Sequence, residues 1–420
     1  MRRAVPALAA LASLALLLAA CTGASSRSHA TGRSNATPTT AASAGPTTTA
    51  PPTTTTTQPP AAPTTEVAPP GPLVEDLTWV SDTHGWALVG QGTCGRTTCT
   101  DVLTTTDGGS VWRQIGSIAA TLSDCAGCGT PGVSHIRFAN DLDGYAFGPD
   151  LFVTTDGGIT WSQEDGPYVA ALEAAGGTVM RVAYTGTGCP GPCDLTVQTA
   201  PAGTDVWRIL TTPFQGDAVQ LVRQGPDDAY VAVFENPAGG AGSAHATLMI
   251  SDDDGATWST RADPCVDVGG DEYDTSALAA APGPALAVLC QDRMQSLNAY
   301  VAVSRDGGAQ FVQRPLIPAV SGSEELAMTS ASSIFVAFSS SAGTGMTQYT
   351  LLSSDDGGGS WQQAASDTEE SAGSPPPPDS TFLGFESAVV GRWVVGGDIL
   401  WQTADGGGQW VRDPSYVSSA

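Results

Sequence analysis

The sequence contains no lysine: all 16 basic side chains in its 420 residues are arginine. That excludes Schiff-base chemistry, the lysine of a phosphate-binding loop and a kinase-type catalytic lysine. Charge of either sign is scarce, 14% of residues against the ~25% usual in soluble domains. What charge exists is mostly acidic, with 42 Asp and Glu and a net charge of −26. Nucleic acid does not suit such a chain as a partner, because phosphate binding runs on cationic neutralisation. Histidine is also rare, with only His84, His135 and His245 beyond residue 72, and no metal or cofactor is expected. Glycine, by contrast, reaches 50 residues, about 12% against a usual ~7%. A Gly-, Thr- and Ser-rich, charge-poor chain argues for short strands and tight turns.

The long apolar run, residues 4–20, follows Met1-Arg2-Arg3 and reads as an export signal. It ends Leu18-Ala19-Ala20-Cys21, which resembles the lipobox of bacterial lipoproteins. The resemblance implies a diacylglycerol on Cys21, cleavage before it, and attachment to the extracytoplasmic face of the cell membrane. An ordinary secretion signal with an accidental cysteine is the alternative. Residues 22–72 follow with 15 Thr, 10 Pro, three charged side chains (Arg27, Arg33, Glu66) and no aromatic. Such a segment cannot bury enough apolar surface to offset its ordering entropy, so a disordered stalk is expected. It would span roughly 40 Å as a coil and ~160 Å in polyproline form.

Residues 73–420 carry an internal repeat, Ser/Thr-x-Asp-x-Gly-x-x-aromatic. Its copies run Thr105–Trp112, Thr154–Trp161, Ser251–Trp258, Ser304–Phe311, Ser354–Trp361 and Thr403–Trp410. The aspartates Asp107, Asp156, Asp253, Asp306, Asp356 and Asp405 are separated by 49, 97, 53, 50 and 49 residues. The doubled interval predicts a hidden unit, and Thr199–Trp207 fills it, keeping Thr, Gly and Trp without the aspartate. Seven units of about 50 residues result. In each turn the carboxylate can accept backbone N–H groups and the hydroxyl can bond across the bend. The glycine supplies a positive φ, and the aromatic brings apolar surface beneath the turn. Upstream lie short apolar strands such as Leu77–Val80 and Gly85–Val89, Ile136–Phe138 and Gly144–Phe147, and Phe382–Phe385 and Trp393–Gly396. Two such strands, a third before the turn and a fourth after it make one propeller blade. The fold predicted is therefore all-β, a seven-bladed propeller of four-stranded antiparallel blades over 73–420. It is preceded by the disordered stalk over 21–72 and the signal over 1–20. Trp86 and Tyr145 are expected between blades, with a sugar-stacking platform as the alternative.

These turns resemble the Asp-box, or BNR repeat, of sialidases, sortilin, two-propeller xyloglucanases and photosystem II assembly factors. The resemblance implies that each turn joins the third and fourth strands of a blade and is structural. A calcium site at Asp252, Asp253 and Asp254 is the alternative reading.

Setting Cys21 aside leaves eight cysteines in an exported chain, which read as four disulfides. Spacing favours Cys94–Cys99 and Cys189–Cys193 as hairpin clips, Cys125–Cys128 within a loop, and Cys265–Cys290 between neighbouring blades. A redox or zinc site at Cys125 and Cys128 lacks the surrounding pattern.

A sialidase-type active site requires three arginines clamping a substrate carboxylate, a Tyr/Glu nucleophile pair and an acid/base aspartate. Twelve arginines lie in 73–420, but none sits in the Arg-Ile-Pro motif those enzymes carry early in the propeller. Arg113, Arg208 and Arg412 follow turn aromatics on outer strands, which suits solvation. The expected function is non-catalytic binding or scaffolding by a monomer tethered to the membrane, with a protein or glycan partner. An exo-acting glycoside hydrolase of sialidase type is the alternative. With 12 arginines against 41 acids the domain carries −29, which repels anionic polymers. The expected partner rim lies in two long loops, at Asp267, Asp271, Glu272 and Asp274 and at Glu369 and Glu370.

Overall fold

Each unit of the repeat folds into its own sheet, and the computed structural model describes how seven of them stand side by side. The structure describes residues 74–413 apart from 95–96, 124–130, 186–192, 217, 235–245, 267–272, 293–297, 318–323, 344–345, 371–381 and 398. The signal, Cys21 and the stalk lie outside the described residues.

The first blade is β1 (Val74–Trp79), β2 (Gly85–Cys94), β3 (Thr97–Thr105) and β4 (Arg113–Ile118). The second is β5 (His135–Phe138), β6 (Gly144–Phe147), β7 (Phe152–Thr154) and β8 (Ser162–Gln163). The third is β9 (Val169–Ala175), β10 (Thr178–Tyr184), β11 (Cys193–Pro201) and β12 (Arg208–Ile209), with an added β13 (Phe214–Gly216). The fourth is β14 (Ala218–Gln224), β15 (Asp228–Phe234), β16 (Ala246–Ser251) and β17 (Ser259–Arg261). The fifth is β18 (Tyr273–Ala281), β19 (Ala285–Asp292), β20 (Ala299–Ser304) and β21 (Val312–Gln313). The sixth is β22 (Glu324–Met328), β23 (Ile334–Gly343), β24 (Met346–Ser354) and β25 (Gln362–Glu370). The seventh is β26 (Phe382–Phe385), β27 (Gly391–Val395), β28 (Ile399–Thr403) and β29 (Val411–Asp413). Strands pair antiparallel in sequence order within every blade, so the expected seven-bladed architecture is present. The third blade departs from it through β13, which pairs with β11 beyond the two-residue β12.

The aspartate turns are built alike. In each of the six, the Ser or Thr hydroxyl donates to the aspartate Oδ1 at 2.7–2.9 Å. The same oxygen accepts the N–H of the residue four positions after the aspartate at 2.8–3.0 Å. The hydroxyl accepts a second glycine N–H at 2.8–3.0 Å. These bonds hold the carboxyls below their ordinary range, and Asp356, bound by the N–H and then the hydroxyl of Ser360, stands at about 2. The residue after each aspartate donates its N–H to the turn joining the first two strands of its blade, as Gly108 does to Thr83 at 3.0 Å. The degraded third unit keeps that bond, from Ala202 to the Gly177 carbonyl at 3.0 Å.

The core is divided into seven clusters, one per pair of neighbouring blades. Each turn aromatic belongs to the cluster between its own blade and the one before. Trp112 lies with Val394 and Leu400, Trp410 with Phe335, and Trp207 of the degraded unit with Tyr145. The strands start just beyond these rings, at Arg113 and Val411 for example, and not at the aromatic itself. Trp86 and Tyr145 are buried between blades. Burying a ring of this size contributes about 2–3 kcal/mol, so the seams dominate stability.

Two glycine positions make this packing attainable. The glycine two residues after each of the six aspartates has positive φ and faces the preceding blade. A Cβ at Gly407 (φ 94°) would overlap the Phe335 ring, and one at Gly308 would overlap Ile250. The glycine opening the second strand lies under the aromatic closing the first: Gly144 under Phe138 and Gly391 under Phe385.

The last blade meets the first without sharing a strand. Val74 donates its N–H to the Gly397 carbonyl at 2.8 Å. Arg392 lies over the Trp79 ring at 3.4 Å and donates to the carbonyls of Asp82 (2.9 Å) and Gly108 (3.2 Å). The seam is therefore closed by packing, one backbone hydrogen bond and one arginine.

Gly407→Ala is expected to lower stability by about 3 kcal/mol, because it combines strain at positive φ with overlap at a seam. Gly166→Ala, with nothing within 4 Å of the added carbon, is expected to be nearly silent. Thermal or denaturant unfolding of the pair measures the difference, and equal losses would refute the seam account.

Candidate functional site

Antiparallel order within a blade sorts its connections onto two faces. Links between strands one and two and between three and four lie on one face, the turn face. Links between strands two and three, and from each blade to the next, lie on the other, the loop face. Every aspartate turn belongs to the turn face. The described cysteines belong to the loop face. Cys94 and Cys99 are bonded across the β2–β3 link, and Cys265, after β17, is bonded to Cys290 near the end of β19. The second bond joins blades four and five, as expected. Cys193, which opens β11, is disulfide-bonded, while Cys125, Cys128 and Cys189 lie outside the described residues.

The described members of the expected acidic rim lie in strands, which corrects their expected place in loops. Asp274 is half-buried within β18, which begins at Tyr273. Glu369 and Glu370 are not in a loop but finish β25, opposite Thr347 and Met346. The nine-residue β24 offers backbone groups along its whole length, and pairing them extends β25 over part of the segment read as loop. Asp267, Asp271 and Glu272 lie outside the described residues.

The innermost strands enclose a central channel of about 670 Å³. Among the described residues five carboxylates line it, Glu75, Asp76, Glu173, Glu325 and Glu386, against one guanidinium, Arg137. Arg137 bonds Asp76 at 2.6 Å and Glu173 at 2.8 Å, tying the inner strands of blades one, two and three together. Asp76 also accepts the Ile136 N–H at 2.9 Å and stands 3.5 Å from the His135 ring nitrogen. Burial pushes its carboxyl up, but Arg137, His135 and the Ile136 N–H together outweigh that and hold it below the usual range. Glu386 is different. Its side chain is 4% exposed, and burial pushes its carboxyl up to about 7 against the opposing pull of Arg392, 2.6 Å away.

Other arginines are committed to seams as well. Arg223 of blade four donates to the carbonyls of Ala175 (3.3 Å) and Thr178 (3.1 Å) in blade three, and to Asp254 at 2.8 Å. Arg181 lies over Trp207 at 3.7 Å and pairs with Glu164, which follows β8. Arg412 is half-exposed, as expected of an outer strand, yet its Nε pairs with Asp367 of blade six at 3.0 Å. Among the described residues only Arg137 lines the channel, so the three-arginine clamp of the sialidase reading is not assembled there. Arg96 and Arg293 lie outside the described residues.

Sequence reasoning missed Asp76, Arg137, Glu173 and the Glu386–Arg392 pair. One signal was available for the last. Arg392 follows Gly391 as Trp86 follows Gly85 and Tyr145 follows Gly144, and each glycine pairs with the Thr that opens its turn. A charge in that slot marks an interior arginine. Trp86 Nε1 donates to the Gly157 carbonyl of the next blade at 2.9 Å, the same task that Arg392 performs at Gly108.

No family model and no curated protein matches the chain. Solved structures are similar at low identity. YCF48 bound to D1 peptide shares 16% identity over 80% of this chain and 94% of that one, with a TM-score of 0.49. An ancestral GH74 enzyme shares 13% over 82% of this chain and 47% of that one, at 0.48. A PL25 ulvan lyase bound to a GlcA(1-4)Rha3S saccharide shares 10% over 82% and 96%, at 0.52. At such identities the likeness is one of fold alone, shared by neighbours with and without catalytic names.

Arg137→Met leaves Asp76 buried without its cation and is expected to cost about 3 kcal/mol at pH 7. The freed carboxyl then titrates above its unfolded value, so the loss is expected to shrink as the pH falls toward 4. Denaturant melts at both pH values test this, and an equal loss at each would remove the charge argument.

Proposed function

We propose that this protein is a membrane-tethered recognition propeller with no catalysis of its own. A lipid on Cys21 anchors it to the extracytoplasmic face, residues 22–72 act as a spacer, and a protein or glycan partner binds across the loop face. The six aspartate turns are read as Asp-box repeats that brace the opposite face.

The observation that carries this reading is the segregation of chemistry between faces. On the turn face six of the seven bends bond their aspartate and hydroxyl within the bend itself. The loop face holds the longest connections and the disulfides, the usual arrangement where binding loops stand on a rigid scaffold. A domain of net −29 favours a cationic or neutral partner over an anionic one. The glycosidase alternative gains nothing from the channel, whose described arginine is already shared between two carboxylates.

Two measurements test the proposal. Wild-type protein is expected in the membrane fraction with a lipid mass on Cys21, whereas Cys21→Ser is expected to be unlipidated and released from that fraction. A Cys21→Ser protein that still partitions as wild type would overturn the anchor. Crosslinking in the native envelope is expected to weaken several-fold when Asp271, Glu272, Glu369 and Glu370 are changed together to Asn and Gln. Unchanged capture by that variant would count against the acidic rim.

A further inference from the structure

Two cavities open in the outer wall of the ring, each reaching an aspartate turn, at Ala256 in one and at Gly359 and Ser360 in the other. One, of about 470 Å³, opens between blades three and four, where Leu210 and Phe214 face Met249 and Trp258. The other, of about 480 Å³, opens between blades five and six, where Leu316 faces Phe338, Leu352 and Trp361. In both, the blade before the groove has a two-residue outermost strand, β12 or β21. Each groove contains the half-buried turn tryptophan of the following blade.

Their chemistry is as alike as their position. Among the described residues, neither groove is lined by a single ionisable side chain, in a domain with 41 carboxylates. Beside the aromatic floor stand hydroxyls and amides, Thr247, Thr260 and Gln215 in one and Thr350, Gln348 and Gln363 in the other. The backbone of the floor is already spent in the ladder: Met249 pairs with Thr260, and Thr350 pairs on both sides with Phe338 and Ser366. The centre of each floor therefore meets a ligand with side-chain hydroxyls, amides and flat indole surface.

We propose that these two lateral grooves bind neutral oligosaccharides, with a sugar ring against Trp258 or Trp361 and its hydroxyls bonded by the flanking Thr and Gln side chains. Neutral sugars present apolar ring faces and hydroxyls in alternation, matching an uncharged aromatic groove rimmed by polar side chains. Anionic glycans are repelled by the domain's field. The cavity volumes lie within the range of small-ligand sites. The site lies apart from the loop-face reading and does not depend on it.

The test uses the full chain and four probes, maltohexaose, cellohexaose, xylohexaose and mannohexaose, followed by saturation-transfer NMR and calorimetry. At least one is expected to bind saturably, with a Kd at or below about 1 mM that is unchanged on raising salt. Thr260 and Gln348 are exposed, so Thr260→Arg and Gln348→Arg should each fill one groove and remove about half of the binding stoichiometry. Together they should abolish it. Thr212→Arg with Gln363→Arg blocks the same grooves from other exposed positions, so if one pair misfolds the other still decides the matter. The proposal is overturned if no neutral hexaose binds, if both double variants bind as wild type does, or if only anionic glycans or a proline-rich peptide bind.

Discussion

A blade of four strands has two apolar faces and no means of covering either. What lets seven such blades stand together is an aromatic ring wedged beneath each turn against the preceding blade, with a glycine at positive φ that lets the side chains of that preceding blade approach. At the closing seam Trp112 meets Val394 and Leu400 as Trp410 meets Phe335 one blade earlier. Because every seam is solved by the same contact, the ring needs no shared strand to close. The unit that lost its aspartate confirms the order of importance. Thr199–Trp207 lacks the carboxylate, yet Trp207 still occupies its seam and the Ala202–Gly177 hydrogen bond still forms.

The lack of lysine becomes intelligible in the same setting. A guanidinium directs several bonds from one plane and stacks on aromatic rings, whereas an ammonium is a strongly hydrated point charge. Arg392 uses these properties at once, over Trp79 and between two carbonyls. Arg223 crosses from blade four to blade three, and Arg137 joins three inner strands. Between blades four and five the disulfide Cys265–Cys290 makes the covalent crossing. With these arginines held in seams, the acidic residues define the domain's field.

Much of the architecture was legible because it is local. The spacing of Asp107, Asp156, Asp253, Asp306, Asp356 and Asp405 is a property of short bends and strand lengths, and it reported the number of blades including the degraded one. The pairing Cys94–Cys99 was legible for the same reason. The rim was less so: Glu369 and Glu370 look like loop residues in an acidic, Ser-rich stretch, but the long partner strand β24 draws them into the sheet. Local preference yields when an unpaired edge is available.

By itself the sequence determined that this chain makes seven equivalent sheets with their bends on one side, since hydrogen bonds within eight residues specify each bend. Only the tertiary structure decided what the channel and the outer wall contain. Asp76, Arg137 and Glu173 come from three successive blades and meet because packing sets the inner strands of those blades side by side. The uncharged grooves bring together residues of blades three and four in one case and of blades five and six in the other. Contacts between residues so far apart in the chain depend on how sheets stack, a global packing outcome that no local pattern encodes.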